Sequence, residues 1–64
     1  MKSLLNVRLA EARMTKRELE ARTGLSRSAL WYFSKDDHIG RAQLKTLARV
    51  AEAIGCSVKD LFEE

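Results

Sequence analysis

The ten residues from Ser26 to Lys35, SRSALWYFSK, hold the densest set of side chains in the chain that could meet a polyanion. If they form a helix, Ala29, Leu30 and Phe33 fall within about 100° of one another and point inward. Arg27, Ser28, Trp31, Tyr32 and Lys35 then share the opposite sector. An arginine fork matches two adjacent acceptors, on a guanine edge or a phosphate. Ser26 and Ser28 bring hydroxyls that bond either. Tyr32 carries a hydroxyl on a ring able to touch an apolar group such as a thymine methyl. Two large aromatics on a solvent face call for a partner, because covering them is favourable. The groove of a DNA duplex is one candidate and another protein is the other.

The elements around this stretch must hold it at the surface. Thr15 with Glu18 three residues on reads as a capping box that opens a helix over 16–23. The open N–H groups and positive dipole end of that helix suit a phosphate, with the Thr15 hydroxyl and Lys16 beside them. Thr23-Gly24-Leu25 interrupts the pattern, and Gly24 can take the left-handed backbone that ends a helix. Ser26 caps the next helix at once, over 26–35. So short a turn makes the two helices cross steeply, in helix-turn-helix geometry.

The rest of the chain continues in helical blocks. A first helix over 3–13 places Leu5, Leu9 and Ala12 on one stripe, widened by Leu4 and Val7, with Ser3 as its cap. Arg8 and Arg13 lie off that stripe, for solubility or for a flanking phosphate. Met14 reads as a staple toward Leu19. Asp36-Asp37-His38 reads as an exposed loop rather than a metal site, since acids at a helix C-terminus oppose the dipole. Ile39 anchors that loop. A fourth helix over 41–54 turns Leu44, Leu47, Ala48, Val50, Ala51 and Ile54 inward, with Arg41 near its start and Lys45 within reach of a phosphate. Gly55 stops it. Ser57 and Asp60 cap a last helix over 57–63, where Val58, Leu61 and Phe62 close the core. No alternating strand pattern is visible. The expectation is one all-α domain over 1–64, a compact five-helix bundle.

Composition fits this reading. A chain of 64 residues buries only about 60% of its unfolded surface, so every apolar face counts. With hydrophobic residues at 45% and charged residues at 33%, it is globular rather than disordered. The net charge of +3 is unevenly spread. Residues 1–35 hold eight Lys/Arg against three acids, and residues 36–64 hold four against six. The basic half is the one that carries the helix-turn-helix, and it suits a polyanion. The lone Cys56 excludes an internal disulfide and suits a cytoplasmic protein. No apolar run reaches the length of a membrane span. His38 has no nucleophile arranged with it, no carboxylates pair for acid–base work and no glycine-rich cradle is present, which argues against an enzyme. No cofactor, metal or small-molecule ligand is expected.

Three stretches taken together, MTKREL, TGLSRSAL and LKTLARVAEAIGCSVKDLF, resemble the phage Cro/repressor helix-turn-helix family, the XRE-like regulators. The likeness runs from about Leu5 to Phe62. It implies a sequence-specific binder of double-stranded operator DNA, a transcriptional regulator of repressor type and a homodimer. By position, the resemblance makes Thr15 and Lys16 phosphate contacts at the start of the first motif helix. Ser26, Arg27, Ser28, Trp31, Tyr32 and Lys35 become groove-facing residues. Arg41 is a further DNA contact on a different ground, its place near the start of the fourth helix within reach of a phosphate. Glu20 stands where the family has a small residue, so its carboxylate must bend outward or pair with Arg17 or with a group of the recognition helix. Ser34 replaces a common Glu. The bulk of Trp31 and Tyr32 supports a second reading, a helix-turn-helix reused as a protein-interaction module of antitoxin or anti-repressor type.

Overall fold

Caps at Thr15, Ser26 and Ser57 and left-handed residues at Arg13, Gly24 and Gly55 punctuate the chain. The computed structural model describes residues 1–63. In order, the elements are β1 (Lys2–Ser3), α1 (Leu5–Glu11), α2 (Lys16–Thr23), α3 (Arg27–Phe33), α4 (Asp36–Ile39) and α5 (Leu44–Ile54). A 3₁₀ turn (Val58–Leu61) and β2 (Phe62–Glu63) follow. The fold is mostly helical, with five α-helices among the described residues.

The core is drawn from every layer. Leu5 and Leu9 of α1, Leu19 of α2, Leu30 of α3, Ile39 of α4 and Leu47, Val50 and Ala51 of α5 are buried together with Leu61. Met14, Leu25, Phe33, Ile54, Val58 and Phe62 pack around them, half-buried. The α5 residues recur at helical spacing, so one stripe of that helix meets the core.

Several boundaries differ from the sequence expectation. Asp36-Asp37-His38 is not a loop but the body of α4, which Lys35 precedes in extended conformation. The dipole argument holds with the opposite outcome: both acids occupy a first turn, where negative charge is favoured. Asp36 also accepts a hydrogen bond from the Ser3 N–H at 2.8 Å. α5 begins at Leu44 rather than Arg41. Residues 40–42 form a turn that seats Ala42 against the core, and Gln43 precedes the helix in extended backbone. Leu44, the first residue of the helix, is 71% exposed. Leu44 and Ala48, one helical turn apart, form a stripe the core does not reach.

α1 is shorter than 3–13. It ends in a Schellman arrangement, with Met14 N–H to Leu9 O at 2.9 Å and Arg13 N–H to Ala10 O at 3.1 Å. This puts Arg13 at φ +54°, and leaves Val7 and Ala12 exposed. Ser3 does not cap α1 in the expected way. Its hydroxyl donates to Phe33 O at 2.7 Å, and β1 pairs antiparallel with β2, Lys2 opposite Glu63 and Ser3 opposite Phe62. Two-residue strands are too short to show alternation, so no periodic pattern announces them. The last helix is likewise only the 3₁₀ turn, closed by reciprocal bonds between Ser57 and Asp60.

Candidate nucleic-acid interface

The α2–α3 corner is built from side chains as well as backbone. Thr15 Oγ1 accepts the Glu18 N–H at 3.1 Å, and Glu18 Oε1 accepts the Thr15 N–H at 3.3 Å. At the other end Gly24, at φ +75°, donates its N–H to Glu20 O at 2.8 Å. Thr23 is only 6% exposed. Its hydroxyl donates to Leu19 O at 2.7 Å and accepts the Leu25 N–H at 3.2 Å, so one side chain ties both sides of the turn. The sequence reading treated Thr23 as a break and missed this role. Ser26 Oγ then accepts the Ala29 N–H at 3.2 Å and starts α3.

α3 presents a mixed face. Leu30 is fully buried, with Ala29 and Phe33 half-buried behind it. Arg27, Ser28, Trp31 and Tyr32 line one open depression of about 440 Å³. Trp31 is 52% exposed. Lys35 lies beyond the end of α3, not on it, yet its Nζ sits 4.7 Å from the Trp31 ring centroid. A cation held over an indole face keeps its charge next to Trp31, one of the residues that line the depression.

Tyr32 departs from the expected solvent position. It is half-buried against two rings: Phe33 meets it edge-on at 5.8 Å and His38 lies parallel to it, 4° between planes, at 4.2 Å. The spacing from 32 to 38 matches no helical period, so this pair was not legible in the sequence. It exists because α4 folds back on α3. Ser34, at the end of α3, donates its hydroxyl to Trp31 O at 2.6 Å.

The remaining candidates lie around this face. Thr15 and Lys16 stand at the far end of α2 from the Gly24 turn, about 12 Å along the helix axis. Thr15 is exposed and Lys16 half-buried. The capping box leaves the N–H groups of Lys16 and Arg17 without an acceptor among the described residues, as the first turn of any helix would. Thr15 Oγ1 also lies 3.3 Å from Glu18 Oε1, so an anion there must compete with a carboxylate for that hydroxyl. Arg41 is exposed, in the turn before α5 rather than on it; its N–H donates to His38 O at 2.9 Å.

Other expectations find different places. Arg8 is not free for a phosphate: its Nε donates to Asp60 O at 2.7 Å and a terminal nitrogen meets Glu11 Oε1 at 2.9 Å. The Glu11 hydrogen bond holds the guanidinium pKa above its ordinary value. Glu20 is half-buried and pairs with no cation, since the one ion pair among the described residues joins Arg8 and Glu11. Cys56 is half-buried, and burial followed by the nearby Asp60 charge pushes its thiol pKa up. No helix is long and apolar enough to cross a membrane among the described residues.

A family model described as the Cro/C1-type HTH DNA-binding domain matches residues 4–63, nearly the whole length given. Neither the curated proteins nor the solved structures contain a match to the chain.

Proposed function

The chain belongs to the Cro/C1-type helix-turn-helix DNA-binding family, and on that premise we propose that it is a sequence-specific transcriptional regulator, acting as a repressor. α3 enters the major groove. The observation that carries this reading is the exposed depression where Arg27, Ser28, Trp31 and Tyr32 converge on a helix whose other side is core. Arg27 forks onto guanine O6 and N7, a contact worth about 1–3 kcal/mol of discrimination. Ser26 and Ser28 bond base edges or phosphates, and the Ser26 hydroxyl proton remains available while its oxygen caps α3. The Trp31 and Tyr32 rings cover apolar groups such as thymine methyls. Thr15, Lys16, Lys35 and Arg41 hold phosphates and set the pose, which makes affinity fall with salt.

One copy reads about half a site, so a homodimer on half-sites about 34 Å apart completes the function. Met1, Leu44, Val58 and Phe62 border an apolar cleft of about 170 Å³ away from α3, and the exposed Leu44 makes this the surface best suited to a second copy. In this reading the protein is no enzyme, needs no cofactor or small-molecule ligand, and works in the cytoplasm on double-stranded operator DNA.

The exposed indole also favours one other reading, a protein-interaction module anchored by Trp31 and Tyr32. Mobility shifts separate the two. The DNA reading expects Arg27→Ala to abolish or relax sequence-specific binding. The interaction reading expects weak, sequence-blind DNA binding by the unaltered protein, and loss of a partner protein with Trp31→Ala.

A further inference from the structure

The imidazole of His38 has no part in the DNA contacts proposed above, yet it is stacked on the one hydroxyl-bearing ring of α3. Its Nδ1 is sealed from solvent with no hydrogen-bond partner among the described residues. No bond to that atom orients the ring; the parallel packing on Tyr32 at 4.2 Å does. Tyr32 also meets the edge-on Phe33 ring, itself part of the core packing. The phenol is thus packed against both a core aromatic and a ring delivered by α4, while still lining the depression with Arg27. α4 is itself fixed to the fold by buried Ile39 and by the Asp36 bond to Ser3.

We propose that His38 is a positioning residue for DNA recognition: it fixes the Tyr32 phenol in its groove-facing orientation before DNA arrives. The inference rests on the reading of α3 as the DNA-facing helix. A clamped side chain loses little freedom on binding, whereas a free tyrosine must be ordered at that moment. Removing the clamp therefore weakens specific binding by about two- to tenfold, the range that ordering one side chain costs. It does so only while Tyr32 is present.

The test uses a duplex selected by the unaltered protein from a random pool, with affinity measured by fluorescence anisotropy. His38→Ala removes the ring. His38→Leu keeps apolar bulk without a flat face, and serves if the alanine variant does not fold. His38→Phe keeps the flat face and discards the unpaired nitrogen. The expected result is loss with Ala and Leu, recovery with Phe, and no further loss when either is combined with Tyr32→Ala. Selection repeated with His38→Leu should blur the same base positions that Tyr32→Ala blurs. Equal affinity of all His38 variants overturns the proposal, as does a loss that persists undiminished in the Tyr32→Ala background. A Phe variant as weak as the Leu variant overturns it too. If the unaltered protein enriches no sequence, the DNA reading falls and the proposal with it. An enriched sequence with indifferent His38 variants removes the positioning role alone.

Discussion

Replacing Gly24 with alanine isolates the cost of the turn that sets α2 against α3. Gly24 sits at φ +75°, and a Cβ built there meets no heavy atom within 4 Å. The bond from its N–H to Glu20 O at 2.8 Å survives the change. Only backbone strain remains, about 1–2 kcal/mol for a left-handed L-residue. The alanine also restricts the unfolded chain, which returns about 0.4–1 kcal/mol. The net expectation is a loss of about 1 kcal/mol, or a Tm lower by about 4–8 °C for a domain of this size. Gly40→Ala is the control. Its φ of −70° is ordinary, and its new methyl approaches only the Met1 side chain, Sδ at 3.2 Å and Cε at 3.7 Å. Met1 is flexible and 53% exposed, so it yields, and Gly40→Ala should be neutral or slightly stabilising. Urea and thermal melts followed by circular dichroism measure both. A Gly24→Ala protein as stable as the original would mean that the left-handed turn is not formed. A loss above about 3 kcal/mol would exceed any backbone cost and mean that the helices approach more closely than described.

Other outcomes follow from the same geometry. Arg13→Gly should raise stability by up to about 1 kcal/mol in a urea melt, because Arg13 occupies the left-handed position at the end of α1. Arg8→Ala should lower Tm without changing the salt dependence of DNA binding, since Arg8 is engaged with Asp60 and Glu11. Lys16→Ala should instead reduce the slope of log affinity against log salt by about 1 and leave Tm nearly unchanged. Because burial raises the Cys56 pKa, alkylation near pH 8 should be slower than for an exposed thiol. The sign for stability follows: the unfolded thiol ionises first, so stability is full below its ordinary pKa and declines as pH rises through the folded value. Denaturation midpoints measured from pH 7 upward check this, and Cys56→Ala should flatten the decline.

What the sequence made legible was whatever acts at short range. The T-x-x-E box, the Gly24 stop and the Ser26 cap each involve residues within three or four positions, and each fixes a helix end. Leu19, Leu30, Leu47 and Val50 were legible through helical period, because one face of each helix meets one core. The α3 depression was legible for the same reason: Arg27, Ser28, Trp31 and Tyr32 lie away from Leu30. What escaped depends on distant parts of the chain meeting. Ser3 reaching Phe33 and Asp36, Arg8 reaching Asp60, and His38 lying on Tyr32 have no periodic signature. The fate of Asp36 and Asp37 turned on which helix owns them, and a dipole rule cannot decide that from composition. Leu44 fits the apolar periodicity of its helix, yet it and Ala48 lie to one side of the stripe formed by Leu47, Val50 and Ala51, and periodicity alone does not tell how wide the buried stripe is.

The central claim is that the α3 face reads a DNA sequence. Selection of bound duplexes from a random pool, run side by side with the unaltered protein and Arg27→Ala, measures it most directly. The account predicts one enriched motif, symmetric about a two-fold and containing a guanine whose preference disappears with Arg27→Ala. A pool that returns unenriched, or a motif identical for both proteins, would contradict it.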